Sequence, residues 1–81
     1  HLNRRYMMRK WLIEKREQQN LTQEKVAKRS GIQRSYYSMI ESGKRSPSPF
    51  VAMKIATVLS FDWTIFFNQQ SNKVTHGEVI K

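Results

Sequence analysis

Apolar residues recur at helical spacing in the first part of the chain. Met8, Trp11 and Leu12 lie on one helical face, which also includes Lys15. This spacing predicts a first helix over residues 5–19. Asn20 follows a polar stretch, and asparagine tolerates the left-handed conformation at which many helices end. We therefore expect the first helix to stop just before Asn20.

A second, shorter helix is predicted over residues 23–29. Thr22 precedes it and is a good N-cap, because its hydroxyl can accept a backbone N–H of the first turn. Val26 and Ala27 are the inward residues of this helix.

A third helix is predicted over residues 33–42, with Tyr37 and Ile40 on its buried face. Gly31 precedes it and supplies the positive φ of a sharp turn, while Gly43 closes it as a C-cap. Two short helices joined by so tight a turn form a helix-turn-helix.

Two further helices follow. Ser48 and Pro49 are the cap and first residue of a helix over residues 49–59, which buries some of Ala52, Ile55, Ala56 and Leu59. Asp62 is predicted to cap a fifth helix over residues 63–68. The expected fold is therefore all-α, with five helices.

The domain organisation is simple, because 81 residues with 38% hydrophobic content can bury one modest core. Residues 8–68 form the predicted domain. Residues 1–7 are interpreted as an N-terminal extension added to the native chain, since the first residue is histidine and Met7 or Met8 can serve as a start. Residues 69–81 are expected to be a tail that is flexible or contributes to dimerisation, with a strand within 74–80 as one alternative.

Charge is the first indication of function. The chain has 15 basic and 6 acidic residues, and residues 1–45 alone hold twelve basic and four acidic ones. A basic excess concentrated in the helix-turn-helix half favours a polyanionic partner over a merely solubilising role.

Composition excludes several other classes. There is no cysteine, and both histidines, His1 and His76, lie near the chain ends, so no metal centre, cofactor or small-molecule ligand is expected. No apolar run is long enough to cross a membrane. The chain offers no nucleophile with a neighbouring base, no carboxylate dyad and no phosphate loop, so it is not expected to be an enzyme.

Small and apolar residues occupy the positions that a crossing of two helices requires. Counting from Gln23, the fifth, ninth, tenth, fifteenth and eighteenth positions are Ala27, Gly31, Ile32, Tyr37 and Ile40. A generic helical hairpin also shows apolar spacing. Such a hairpin does not require a small residue at the position of Ala27 and a glycine at that of Gly31, together with a basic outer face.

The same segment resembles the Cro/C1-type (Xre) helix-turn-helix family of regulators, through Leu21, Thr22, Gln23, Glu24, Val26, Ala27, Ser30, Gly31, Ile32, Tyr36, Tyr37, Ser38, Ile40, Glu41, Ser42, Gly43 and Lys44. Pro47, Ser48, Lys54, Ile55, Ala56, Leu59 and residues 62–67 extend the match. The resemblance implies a compact, lambda-repressor-like fold of five helices. It further implies a homodimer that binds double-stranded DNA at a palindromic operator and regulates transcription.

The resemblance implies DNA-contacting roles for residues on and around the third helix. Base-reading positions fall on Arg34, Ser35, Ser38 and Met39, which helical geometry also puts on one face, opposite Tyr37 and Ile40. DNA-backbone contacts are expected from Gln23, Gln33, Tyr36, Gly43, Lys44 and Arg45. Gln33 and Met39 depart from the family, where a hydroxyl residue and a polar residue are common at these positions.

Two structural roles complete the expectations. The resemblance implies a partly buried ion pair between Arg16 and Glu41, joining the first helix to the end of the third. Four aromatic residues near the end of the domain exceed what one short helix can bury, so Phe61, Trp63, Phe66 and Phe67 are predicted to contact a second copy as well as the core.

Several function classes remain after these observations. The leading one is a cytoplasmic, bacterial or phage-encoded transcriptional regulator associated with the nucleoid, most simply a repressor; a prophage repressor, a restriction-modification controller and an antitoxin are not distinguished. The alternative is a protein-interaction module, whose recognition face would be neutral or acidic rather than basic. A single-stranded RNA binder would interleave exposed aromatics with basic residues, whereas here the aromatics lie mainly in the less charged half.

Overall fold

Residues 8–68 are described by the computed structural model and contain four helices and a final helical turn. The helices are α1 (Lys10–Gln18), α2 (Gln23–Ser30), α3 (Arg34–Ser42) and α4 (Pro49–Leu59). The turn, α5, covers residues 65–68. No strand occurs in this range, so the predicted all-α class with five helices is confirmed.

Several predictions concern residues beyond this range. The extension over residues 1–7, the tail over residues 69–81 and the strand considered within 74–80 all lie outside the described residues. Within the range, no helix is both long and apolar enough to cross a membrane.

The predicted caps of α2 and α4 are present. The Thr22 hydroxyl accepts the Lys25 N–H at 3.1 Å, and the Ser48 hydroxyl accepts the Val51 N–H at 3.2 Å. Pro49 occupies the first turn of α4, where its missing N–H costs nothing. These local interactions explain why the predicted bounds of α4 match the structure.

Three turn residues adopt left-handed backbone conformations as predicted. Asn20 has φ of 58°, Gly31 of 74° and Gly43 of 88°. Glycine adopts this conformation without steric cost, and asparagine tolerates it better than other residues with a side chain. The chain can therefore reverse direction sharply after α1, α2 and α3.

The start of α1 was predicted wrongly. The helix begins at Lys10, because Arg9 has a non-helical backbone (φ −87°, ψ 78°) and its N–H donates to the Glu41 carbonyl at 2.8 Å. Met8, expected on the buried face, is 55% exposed. A long-range hydrogen bond to α3 thus replaces the helical turn that local periodicity predicted; residues 5–7 lie outside the described range.

The core forms where α2 packs against α3 and α4 and where α1 packs against α3. Its buried side chains come from every helix: Leu12, Val26, Ala27, Tyr37, Ile40, Ala52, Ile55, Leu59 and Phe66. Each inward residue predicted for α2, α3 and α4 is buried. Burying these apolar surfaces against one another fixes α3 on the scaffold.

Phe66 belongs to this core, which corrects its expected role in a dimer contact. It is only 1% exposed, and its ring centroid lies 5.1 Å from that of Trp11 in an edge-to-face arrangement. Phe61 packs edge-to-face on Trp11 at 5.3 Å. The small domain therefore buries more of its aromatic segment than expected, and Phe61, Trp63 and Phe67 are the half-buried members.

Asp62 precedes α5, though the helical turn starts at residue 65 rather than 63. Its Oδ1 accepts the Thr64 N–H at 3.0 Å and the Thr64 hydroxyl at 2.8 Å. These hydrogen bonds lower the pKa of Asp62 by favouring the ionised form. Because they close a tight turn around residues 63–64, the helix begins later than predicted.

Candidate nucleic-acid interface

The turn between α2 and α3 fixes the angle at which α3 leaves the scaffold. The Ile32 N–H donates to the Ala27 carbonyl at 3.0 Å, and the Gly31 N–H donates to the Lys28 carbonyl at 3.1 Å. The Ile32 side chain packs against the core cluster. The angle between α2 and α3 is therefore set by three residues: the small Ala27, the left-handed Gly31 and the apolar Ile32.

α3 has one buried and one outward face. Tyr37 and Ile40 are completely buried, while Arg34 and Ser35 are exposed and Ser38 and Met39 are half-exposed. The four predicted base-reading side chains thus share the outward face. None of them belongs to the core of the described residues.

Gln33 and Tyr36, at the start of α3, differ in how much of each side chain is engaged within the fold. Gln33 is the N-cap residue, yet its exposed side chain makes no capping hydrogen bond. Tyr36 is half-buried and packs against the core. The Gln33 amide is therefore not used by the fold, whereas much of the Tyr36 ring is.

Arg16, Gln23 and Glu41 form a hydrogen-bonded network that joins α1, α2 and α3. Arg16 donates from Nε to Glu41 Oε2 at 2.6 Å and from Nη2 to Oε1 at 3.3 Å. Gln23 Nε2 donates to the same Oε1 at 2.8 Å. Two side chains from different helices therefore hold one carboxylate on α3.

The ion pair within this network is largely shielded from water. The side chains of Arg16 and Glu41 are 14% and 3% exposed. Arg16 also donates from Nη1 to the Leu21 carbonyl at 3.0 Å. The hydrogen bond to Glu41 is the main reason that the pKa of Arg16 is raised, so the guanidinium is charged at any physiological pH.

The Tyr37 hydroxyl is buried beside this network without a hydrogen-bond partner among the described residues. Burial and the neighbouring Glu41 carboxylate both raise the pKa of Tyr37. The ring therefore remains neutral, and its contribution to the interior is apolar packing rather than charge.

The loop after α3 carries the basic residues expected at the DNA backbone. Lys44 and Arg45 are exposed, and Gly43 ends the helix. The Arg45 N–H donates to the Met39 carbonyl at 3.2 Å, which folds the loop back onto the last turn of α3. The loop is thus attached to α3 rather than extended away from it.

Arg9 was not predicted as part of this region. Its Nη1 donates to the Ile40 carbonyl at 2.6 Å and to the Arg45 carbonyl at 3.2 Å. These contacts join residues more than 30 positions apart, which local sequence patterns do not encode. The one available signal was the absence of a basic residue from the last turn of α3, a position where a cation is favoured.

The arrangement of side chains suits the binding of a polyanion. Among residues 8–68 there is no group of three or more His, Cys, Asp or Glu side chains arranged to hold a metal ion. The outward face of α3 and the loop after it combine an arginine, hydroxyls and two further basic side chains.

Comparisons with known proteins agree with this geometry. A family model described as helix-turn-helix matches residues 12–66. An uncharacterized HTH-type transcriptional regulator, YqaF of Bacillus subtilis (strain 168), is 53% identical over 71 residues, covering 88% of this chain and 93% of that protein. An uncharacterized HTH-type transcriptional regulator of Archaeoglobus fulgidus is 43% identical over 53 residues, covering 65% and 75%. No solved structure matches the chain.

Replacement of Glu41 by glutamine tests the network that orients α3. The substitution leaves the Arg16 guanidinium without a counter-ion in a shielded site, so we expect the free energy of unfolding to fall by about 3 kcal/mol. Urea unfolding of the DNA-free protein measures this. Glu14→Gln, an exposed change on α1, is the control and is expected to change stability by less than about 0.5 kcal/mol.

The double variant Arg16→Met with Glu41→Leu distinguishes two causes of the lost stability. One is the burial of an unpaired Arg16 charge, and the other is the loss of the attraction between Arg16 and Glu41. Removing both charges is expected to restore most of the lost stability, because no uncompensated ion remains. A double variant as unstable as Glu41→Gln would contradict this explanation.

Proposed function

Because the chain belongs to the helix-turn-helix family, as a Cro/C1-type regulator of transcription rather than an enzyme, we propose that it is a repressor that binds a palindromic operator as a homodimer. In this proposal α3 enters the major groove. The observation that supports it most directly is the outward face of α3, which presents Arg34, Ser35, Ser38 and Met39 opposite its buried face.

The cross-section of α3 fits the groove. An α-helix with its side chains is about 10–12 Å in diameter, and the major groove is about 12 Å wide. α3 has no acidic residue in its first turn, so neither side chains nor the positive end of the helix dipole repel phosphate there. Its N-terminal half can therefore approach the bases.

The outward side chains differ in what they can recognise. Arg34 carries a planar guanidinium that can donate two hydrogen bonds to O6 and N7 of guanine. Ser35 and Ser38 can donate or accept a hydrogen bond, and Met39 offers an apolar contact for a thymine methyl. These four side chains can therefore recognise the edges of different bases, in addition to the negative charge of the phosphates.

Groups around α3 are proposed to contact the phosphates. Lys44, Arg45 and the Gly43 backbone lie in the loop after the helix, and Gln33 lies at its start with an unused amide. Tyr36 can contribute only its hydroxyl end, because its ring packs on the core. Such contacts position the protein on the duplex without reading sequence.

Gln23 is proposed to serve both the fold and the DNA backbone. A side-chain amide nitrogen carries two N–H donors. One of them is donated to Glu41, and the second is available for a phosphate. A single side chain would then connect the ion pair beneath α3 to the backbone beside it.

The homodimer follows from how little DNA one helix can read. A single recognition helix contacts one half-site, and two such helices about 34–36 Å apart enter successive major grooves on one side of the duplex. The half-buried Phe61, Trp63 and Phe67 are the proposed contacts between copies. Phe50 is more exposed, but the Lys54 ammonium already lies 4.4 Å from its ring centroid.

Selection of bound duplexes from a random DNA pool tests the proposed function. We expect a palindromic site that is preferred over scrambled DNA by at least about 10³ at physiological salt. Equal and steeply salt-dependent binding to all duplexes would contradict sequence-specific repression. Absence of binding would favour the alternative, a protein-interaction module such as an antitoxin.

Arg34→Ala tests the base-reading role of α3. Loss of a bidentate contact removes about 1–3 kcal/mol of discrimination, so the selected site should lose its preference at one position in each half. The same selection with Arg29→Ala, which removes an exposed arginine from α2, should return the original site. An unchanged site for Arg34→Ala would refute the assignment.

Lys44→Ala tests the role of the loop at the DNA backbone. We expect binding to weaken similarly for the operator and for scrambled duplex, because phosphates carry no sequence information. The slope of log affinity against log salt should flatten by about one. Lys15→Ala, in which the removed ammonium lies over the Phe61 ring rather than in the loop, should leave the slope nearly unchanged.

A further inference from the structure

The C-terminal end of α3 depends on a residue from outside the helix. The last carbonyls of a helix have no partner within it, and a cation is favoured beside them. The last turn of α3 has no basic residue of its own. Arg9 provides both a hydrogen-bond donor and a cation at this helix end. Its backbone N–H donates to the Glu41 carbonyl at 2.8 Å, and Nη1 of its guanidinium donates to the Ile40 carbonyl at 2.6 Å.

The same guanidinium holds the loop that follows. Nη1 also donates to the Arg45 carbonyl at 3.2 Å, and Nη2 lies 3.5 Å from the Ser46 hydroxyl. An arginine can make these contacts together because its donors are fixed in one planar fork. The helix end and the loop are therefore tied to one side chain.

Arg9 itself is anchored against the core. Its guanidinium carbon lies 5.7 Å from the centroid of Phe66, a completely buried ring. Burial of the side chain lowers the pKa of Arg9 through desolvation, although arginine remains charged in proteins. The side chain is thus part of the scaffold, with its hydrogen-bonding capacity directed at α3 and the loop.

We propose that Arg9 is a positioning residue for DNA binding: it sets the loop that carries Lys44 and Arg45 at a fixed angle to the recognition helix. Base contacts from α3 and phosphate contacts from the loop are then available in one rigid arrangement. This inference rests on the proposed function, because it assumes that the loop meets the DNA backbone.

Lysine is not expected to replace Arg9. An ammonium retains the positive charge, but it is a point charge without the fork that reaches the Ile40 and Arg45 carbonyls together. Arg9→Lys therefore separates charge from geometry. Arg9→Gln removes the charge as well, and Lys10→Gln removes one charge from the next residue, which is exposed.

The experiment measures two properties of each variant of the 81-residue chain. Affinities for the selected operator and for scrambled duplex are determined over a range of salt concentrations. Hydrogen exchange of the Arg45 amide in the DNA-free protein reports on the loop, because that N–H is bonded to the Met39 carbonyl. Thermal unfolding shows that measurements are made well below the melting temperature of each variant.

Arg9→Lys and Arg9→Gln are expected to weaken operator binding by about tenfold or more, the loss expected from misplacing one charge-assisted contact. The salt slope should flatten, and the Arg45 amide should exchange faster. Lys10→Gln should weaken binding less than about threefold and leave the exchange rate unchanged. If Arg9→Gln fails to fold, the measurements on Arg9→Lys alone test the inference, because this variant keeps the positive charge and changes only the hydrogen-bonding geometry.

Two outcomes would overturn the inference in different ways. Arg9 variants that melt earlier but bind with the affinity and salt slope of Lys10→Gln would mean that Arg9 only stabilises the fold. A wild-type protein that prefers no duplex would refute the proposed function, and with it any role of Arg9 in DNA binding.

Discussion

The buried carboxylate of Glu41 is the constraint on which the orientation of α3 depends. A charge with only 3% of its side chain exposed is costly unless it is paired and hydrogen-bonded. Arg16 supplies the counter-charge from α1, and Gln23 supplies a further donor from α2. Because the three groups must meet at one point, α3 can turn or slide only by exposing an unpaired ion. Apolar packing of Tyr37 and Ile40 holds α3 on the core, and the network selects one orientation among those that packing allows.

Features that depend on a few neighbouring residues were predictable from the sequence. Thr22, Gly31 and Ser48 each act within one helical turn, through a hydroxyl acceptor or a left-handed backbone. The bounds of α4 and its buried residues followed for the same reason. The outward face of α3 was predictable too, since once Tyr37 and Ile40 are inward, helical periodicity leaves Arg34 and Ser38 on the other side. Which bases these residues would contact in the proposed function is not a property of the free chain.

What local patterns did not reveal depends on contacts between distant residues. α1 starts late because the Arg9 N–H is bonded to Glu41, 32 positions along the chain. Phe66 is buried because Trp11, at the other end of the domain, lies edge-to-face against it. Counting aromatic residues in one segment overestimated the exposed apolar surface, since the count ignored what α1 brings to that segment. In each case the energy of a tertiary contact outweighed a local preference of smaller size.

The fold and the proposed recognition are carried by different residues of the same helix. Tyr37, Ile40 and Glu41 are buried and fix where α3 lies, whereas Arg34 and Ser35 are exposed and lie outside the core of the described residues. Exposed substitutions away from caps and cores change stability by only about 0.5 kcal/mol in either direction. In the proposed function, operator preference can therefore change through the outward positions at little cost to folding. A change at Glu41 or Arg16 has the opposite effect, because it alters the support of all the proposed base-contacting residues at once. Any loss of DNA binding after such a change is a consequence of the scaffold.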